Sequence, residues 1–182
     1  LNYDGTRVLH ADMKRNNEAF SLTGVLHHSG AFDFTGALRG FDLEGLRAFV
    51  RNPELAQPGE GFRGSVNADA HLSGSTSAPI LAFTATSDSV HFRQSRIGAF
   101  DAKILYDSML AKIDLKVSSD RTSPAPTLTV SGTVPVNLAF SGVSARFPDE
   151  PQDLRVVSQG FDLSVLDPLV GEVDDLSGKL VC

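Results

Sequence analysis

The sequence predicts an all-β, antiparallel protein. Apolar side chains recur with period two in one segment after another. Those segments are short and end at Gly, Pro, Asn or Ser. With 16 Gly, 12 Phe and no Trp among 182 residues, the composition suits strands and tight turns better than a helical bundle.

The strands follow in order. Phe20, Leu22 and Leu26 alternate around Gly24. Val66, Ala68, Ala70 and Leu72 alternate with Asn67, Asp69 and His71, and Val90 and Phe92 flank His91. Ile113, Leu115 and Val117 alternate with Lys112, Asp114 and Lys116, and Leu154 and Val156 with Asp153 and Arg155. Leu128, Val130, Val134, Val136, Leu138 and Phe140 read as one further strand. In a strand this spacing gives one apolar face. The stretch from Thr122 to Ala145 carries no charge and is long enough to span a bilayer. Pro124, Pro126 and Pro135 and the many polar side chains exclude a spanning helix there.

Two segments change period. Asp42 precedes Leu43, Leu46, Phe49 and Val50, and Asp162 precedes Leu163, Leu166, Leu169 and Val170. Each predicts a short amphipathic helix with an Asp carboxylate near its N-cap, the second limited or kinked by Pro168.

Charge and length bound the rest. Sixteen basic against 22 acidic residues give a net charge of −6, which excludes binding of nucleic acid through the net field. One cysteine, Cys182, excludes an internal disulfide framework. The length is enough to bury a core in one domain or two small ones. The chain begins at Leu1 and ends in what reads as a strand cut in mid-run, so it is read as a piece of a longer polypeptide.

The chain also repeats itself. Gly40-Phe41-Asp42-Leu43 matches Gly160-Phe161-Asp162-Leu163. Phe62-Arg63-Gly64-Ser65-Val66 resembles Leu176-Ser177-Gly178-Lys179-Leu180. Leu1-Asn2-Tyr3-Asp4 resembles Ile104-Leu105-Tyr106-Asp107, and Ser21-Leu22-Thr23-Gly24 resembles Thr129-Val130-Ser131-Gly132. One copy covers residues 1–100 and a second, truncated copy covers 101–182. No Pro/Gly/Ser linker separates them, which favours a stack sharing one apolar interior over two tandem sandwich domains.

These motifs together resemble the AsmA-like and TamB-like proteins, the translocation and assembly module group of diderm bacteria. The resembling features are Tyr3-Asp4 and Tyr106-Asp107, Leu22 to Gly24, Val130 to Val136, and the Phe-Asp-Leu-x-x-Leu segments from Phe41 and Phe161. To these is added the run Ala70 to Pro79, similar to a turn between repeat strands. The resemblance covers nearly the whole chain. It implies an elongated antiparallel sheet curled like a taco shell, with one short helix per repeat and an apolar concave face. It implies a periplasmic location for the parent protein, anchored in the inner membrane by a segment outside this chain. Its partners would be phospholipid acyl chains and an outer-membrane BamA-like barrel protein. The implied roles are phospholipid transport and outer-membrane protein assembly. The candidate groove lining is Phe20, Leu22, Phe83, Phe92, Ile113, Leu115, Val117, Leu128 and Val130.

The sequence points to no enzyme, metal or cofactor. His27 and His28 are adjacent, so in a strand they would face opposite ways; they read as a surface pair beside Ser29-Gly30. Asp149-Glu150 and Asp174-Asp175 supply too few oxygens in one loop for calcium. No Gly-x-Ser-x-Gly elbow is present, and Gly59-Glu60-Gly61 lacks the rest of a phosphate loop. Arg93, Arg96 and Lys103 read as a solvated strand face, not a nucleic-acid stripe. The alternative is a secreted adhesin or carbohydrate-binding β-sandwich array. That reading calls for two closed sheets and for exposed aromatics beyond Tyr3 and Tyr106.

Overall fold

A computed structural model describes residues 5–45, 61–92, 95–120, 122, 125–162 and 178–182. They form ten strands: β1 (Arg7–Arg15), β2 (Glu18–Leu26), β3 (Ala31–Asp42), β4 (Phe62–Ser75), β5 (Pro79–Phe92), β6 (Ser95–Asp107), β7 (Leu110–Ser118), β8 (Leu128–Pro135), β9 (Asp153–Asp162) and β10 (Lys179–Val181). Each pairs antiparallel with the next, giving a single ten-stranded meander in chain order. Three hairpins turn where a side chain tolerates or a glycine supplies positive φ: Asn16 between β1 and β2, Gly30 between β2 and β3, Ser108 and Met109 between β6 and β7.

The sheet is open. It is neither closed into a barrel nor strongly curled, so the tightly rolled shell implied by the resemblance is corrected to a shallower form. Curling of that degree would bring distant strands face to face, whereas substantial strand contacts here join sequence neighbours. Register shifts, where a strand can bend, fall at Leu38/Phe41, Gly64/Asn67 and Ser87/Val90 on three successive strands.

The first expected helix is corrected where it is described. Among the described residues there is no α-helix. Leu43, Glu44 and Gly45 form one 3-10 turn, with the Asp42 carboxylate accepting from the Glu44 N–H at 3.0 Å. The rest of that segment, and the second helix expected from Leu163, lie outside the described residues. A third correction concerns β8, which stops at Pro135 rather than running on to Phe140. Proline cannot donate to the next strand, and the chain leaves the ladder there.

The two sequence copies occupy equivalent places in the sheet. Met13 pairs with Phe20 and Ala11 with Leu22; Val117 pairs with Leu128 and Leu115 with Val130. Phe20, Leu22 and Gly24 pair with Leu38, Gly36 and Phe34; Leu128, Val130 and Gly132 pair with Ser158, Val156 and Leu154. Phe41 pairs with Val66 and Asp42 with Ser65, as Phe161 does with Leu180 and Asp162 with Lys179. Strands β1–β4 thus share a register with β7–β10. Gly40 (φ 60°) and Gly160 (φ 90°) sit at the register shift of each copy. Residues 100 and 101, where the copies meet in sequence, lie inside β6, and the ladder is unbroken there.

Candidate functional site

Register and pleat together define two unlike faces. One row runs Ala11, Leu22, Gly36, Ala70, Phe83, Ile104, Ile113, Gly132, Leu154 across nine strands. The row on one side runs Met13, Phe20, Leu38, Ala68, Ala85, Ala102, Leu115, Val130, Val156. The row on the other runs Leu9, Gly24, Phe34, Leu72, Leu81, Tyr106, Ala111, Val134. All three rows are apolar or glycine except for the phenol of Tyr106. Eight steps of ~4.8 Å make such a row about 38 Å long.

The opposite face carries Asp12, Ser21, Ala37, Asp69, Thr84, Lys103, Asp114, Ser131 and Arg155 in one row. Exposed polar pairs stud it: the Arg39–Asp69 ion pair at 2.5 Å, and contacts of His71 with Asp33 at 3.1 Å and of His10 with Asp12 at 2.7 Å. Pairs so exposed contribute little stability and mark this face as the wet one. Among the described residues no group of three or more His, Cys, Asp and Glu could hold a metal ion.

Eight of the nine residues singled out from the sequence stand in or beside the apolar rows. Phe20, Leu22, Phe83, Ile113, Leu115 and Val130 lie within them, and Val117 and Leu128 pair at the next position outward. Phe92 lies farther along, beyond the β5 register shifts; it is 2% exposed, with its ring 4.8 Å from that of Phe62. Val117 and Phe161 form a small core of their own, against which Ile97, Phe100, Leu115 and Leu128 pack. Most residues in the rows are only half-buried, because among the described residues no second layer covers the sheet beyond one margin.

No protein-family model matches the chain, and neither does any curated protein or solved structure.

The sequence reading named no residue of β3 as lining, yet its Phe32, Phe34 and Leu38 contribute to the same face. Its period-two signal was present, but Gly36 and Gly40 dilute it. It also read residues 136–140 as the end of β8 and missed the course of the chain from there to 152. After Pro135 the chain turns back over the apolar face along one margin. The Val136 N–H donates to Met109 O at 2.9 Å, the Leu138 N–H to the Tyr106 hydroxyl at 3.0 Å, and the Phe140 N–H to Thr76 O at 2.8 Å. The Phe140 ring meets Phe32 edge-on at 5.9 Å, and the Arg146 guanidinium donates to the carbonyls of Asn137 and Ala139. Ala139 is buried at 5% exposure. This strap shields one margin, Tyr106 of the third row included, and most of the other two rows stays half-exposed.

Proposed function

We propose that this chain is a repeat segment of a periplasm-spanning protein of the AsmA-like and TamB-like kind. Its open apolar face would carry phospholipid acyl chains between the inner and outer membranes and support outer-membrane protein assembly. The parent protein is anchored in the inner membrane by a segment outside this chain and works with a BamA-like barrel.

One observation carries the reading: two adjoining apolar rows run unbroken from β1 to β9, through both sequence copies, and a third accompanies them as far as β8. Apolar surface in water costs roughly 25 cal/mol per Å². An acyl chain laid along the rows recovers about 0.8 kcal/mol per buried CH₂. Contacts of this kind are non-directional, so a chain can slide from one repeat to the next without crossing a specific barrier. Such a role requires length and continuity, not a catalytic constellation. One uncovered sheet also supports this reading over a sandwich array, which needs two closed sheets.

Site-specific photocrosslinking tests it. A photoreactive side chain at Phe20, Ile113 or Val130, in the chain exported to the periplasm of a diderm bacterium, is expected to yield phospholipid adducts. The same group at Ser21, Asp114 or Ser131 on the polar face is expected to yield none. Equal yields from both faces, or none from the apolar positions, would overturn the proposal.

A further inference from the structure

At the β1–β2 end of the sheet a cleft of about 660 Å³ opens beside the apolar face. Arg7, Leu26, His27, His28 and Thr76 line it, with Gly5 and Gly30 as floor. In a chain of net charge −6, no carboxylate among the described residues borders this cleft. Arg7 pairs with Leu26 across β1 and β2, and the two histidines follow directly in the turn. The His27 ring meets Thr6 Oγ1 through Nδ1 at 3.4 Å. Among the described residues no acidic group pairs with Arg7 or His28.

The cleft's position gives the Arg7 charge a use. Arg7 belongs to the row Arg7, Leu26, Phe32, Gly74, Pro79, the next one outward from Leu9, Gly24, Phe34, Leu72, Leu81. A guanidinium therefore stands at the rim, one strand-pleat away from continuous apolar surface. The strap ends here as well: Phe140 reaches only as far as Phe32 and Thr76. Leu9 (46% exposed) and Leu26 (37% exposed) beyond it are uncovered.

Resting on the lipid reading above, we infer that the Arg7–His27–His28 cleft is a headgroup site for a net-anionic phospholipid. The phosphodiester pairs with the Arg7 guanidinium, whose planar fork can take two phosphate oxygens at once. The acyl chains leave along the Leu9–Gly24–Phe34 row. A headgroup with its own ammonium would set like charge against Arg7, so the site selects phosphatidylglycerol-type lipids over phosphatidylcholine-type ones.

The test titrates the full 182-residue chain with dihexanoyl phosphatidylglycerol, dihexanoyl phosphatidylcholine and inorganic phosphate, with affinities read by calorimetry. The glycerol lipid is expected to bind about tenfold tighter than the choline lipid. The double variant Arg7→Gln/His28→Gln is expected to lose that preference, while Arg7→Lys keeps part of it and Arg155→Gln, on the polar face, keeps it whole. Circular dichroism on each variant confirms the fold. Equal binding of the two lipids, or an unchanged preference in the double variant, overturns the headgroup assignment and leaves the acyl-chain reading standing. Inorganic phosphate binding as tightly as the glycerol lipid overturns it in favour of a free-phosphate site. No binding of either lipid overturns both readings.

Discussion

The ring of Phe34 occupies the space that a side chain on Gly24, its partner across β2 and β3, would fill. A Cβ on Gly24 would overlap Phe34 Cδ1. The glycine is there because the ring needs its place. The pair keeps the third apolar row flush across the hairpin.

Gly24→Val raises intrinsic strand propensity yet is expected to destabilise the chain by about 1–3 kcal/mol, because the ring must leave its seat. Urea unfolding measures this directly. A midpoint equal to or above that of the parent chain would show that the ring has another equally good position.

Ser158 is 1% exposed and lies where β9 and β10 lose their regular pairing. Its hydroxyl donates to Leu180 O at 2.6 Å and accepts from the Phe161 N–H at 3.3 Å. One hydroxyl thus satisfies backbone groups that the register shift leaves out of the ladder. Ser158→Ala is expected to cost about 1–3 kcal/mol, the penalty for orphaning buried polar groups. Ser87, also 1% exposed, donates to Ser65 O at 2.7 Å beside the β4–β5 shift, and Ser87→Ala is expected to behave alike. Fast amide exchange at Phe161 in Ser158→Ala would locate the effect; unchanged exchange there would refute it.

Strand order and face were legible because period two is a local property. Ile113, Leu115 and Val117 declare their face without reference to any neighbour. The repeat was legible for the same reason, since Gly40-Phe41-Asp42 and Gly160-Phe161-Asp162 mark the same register shift in each copy. The extent of β8 was not. Val136, Leu138 and Phe140 continue the alternation, but Pro135 ends the ladder, and Phe140 is held by Phe32, more than a hundred residues earlier. The degree of curl was illegible too, because it depends on how several register shifts add up. The basic cleft joins Arg7 to His27 and His28 only once β1 and β2 pair, so the sequence showed its histidines merely as a surface pair.

Gly132 has φ 145°, and a Cβ there would run into the carbonyl oxygen of Asp153 on β9. Gly30 has φ 83°, with open space around it. Gly30→Ala is expected to cost about 1 kcal/mol, the conformational penalty alone. Gly132→Ala adds a backbone collision and is expected to cost more than about 2 kcal/mol. Thermal or urea unfolding of the two variants side by side gives the comparison. Equal costs would mean that β9 moves aside freely.

The strap depends on Tyr106. Its ring fills the third apolar row at 2% exposure, while its hydroxyl accepts from the Leu138 N–H at 3.0 Å. Tyr106→Phe keeps the ring and removes only the acceptor, so the row stays filled and Leu138 loses its tie. The loss is expected to be about 1 kcal/mol, confined to the strap. Amide exchange at Leu138 should quicken, and so should chymotryptic cleavage at Phe140 and Phe147, which are already 61% and 70% exposed. Exchange in β6 and β7 should hold, since their ladder is untouched. If the strap loosens and the glycerol lipid binds no differently, the shielded margin takes no part in binding. Unaltered exchange at Leu138 would instead show that Arg146 and Phe140 hold the strap without the tyrosine.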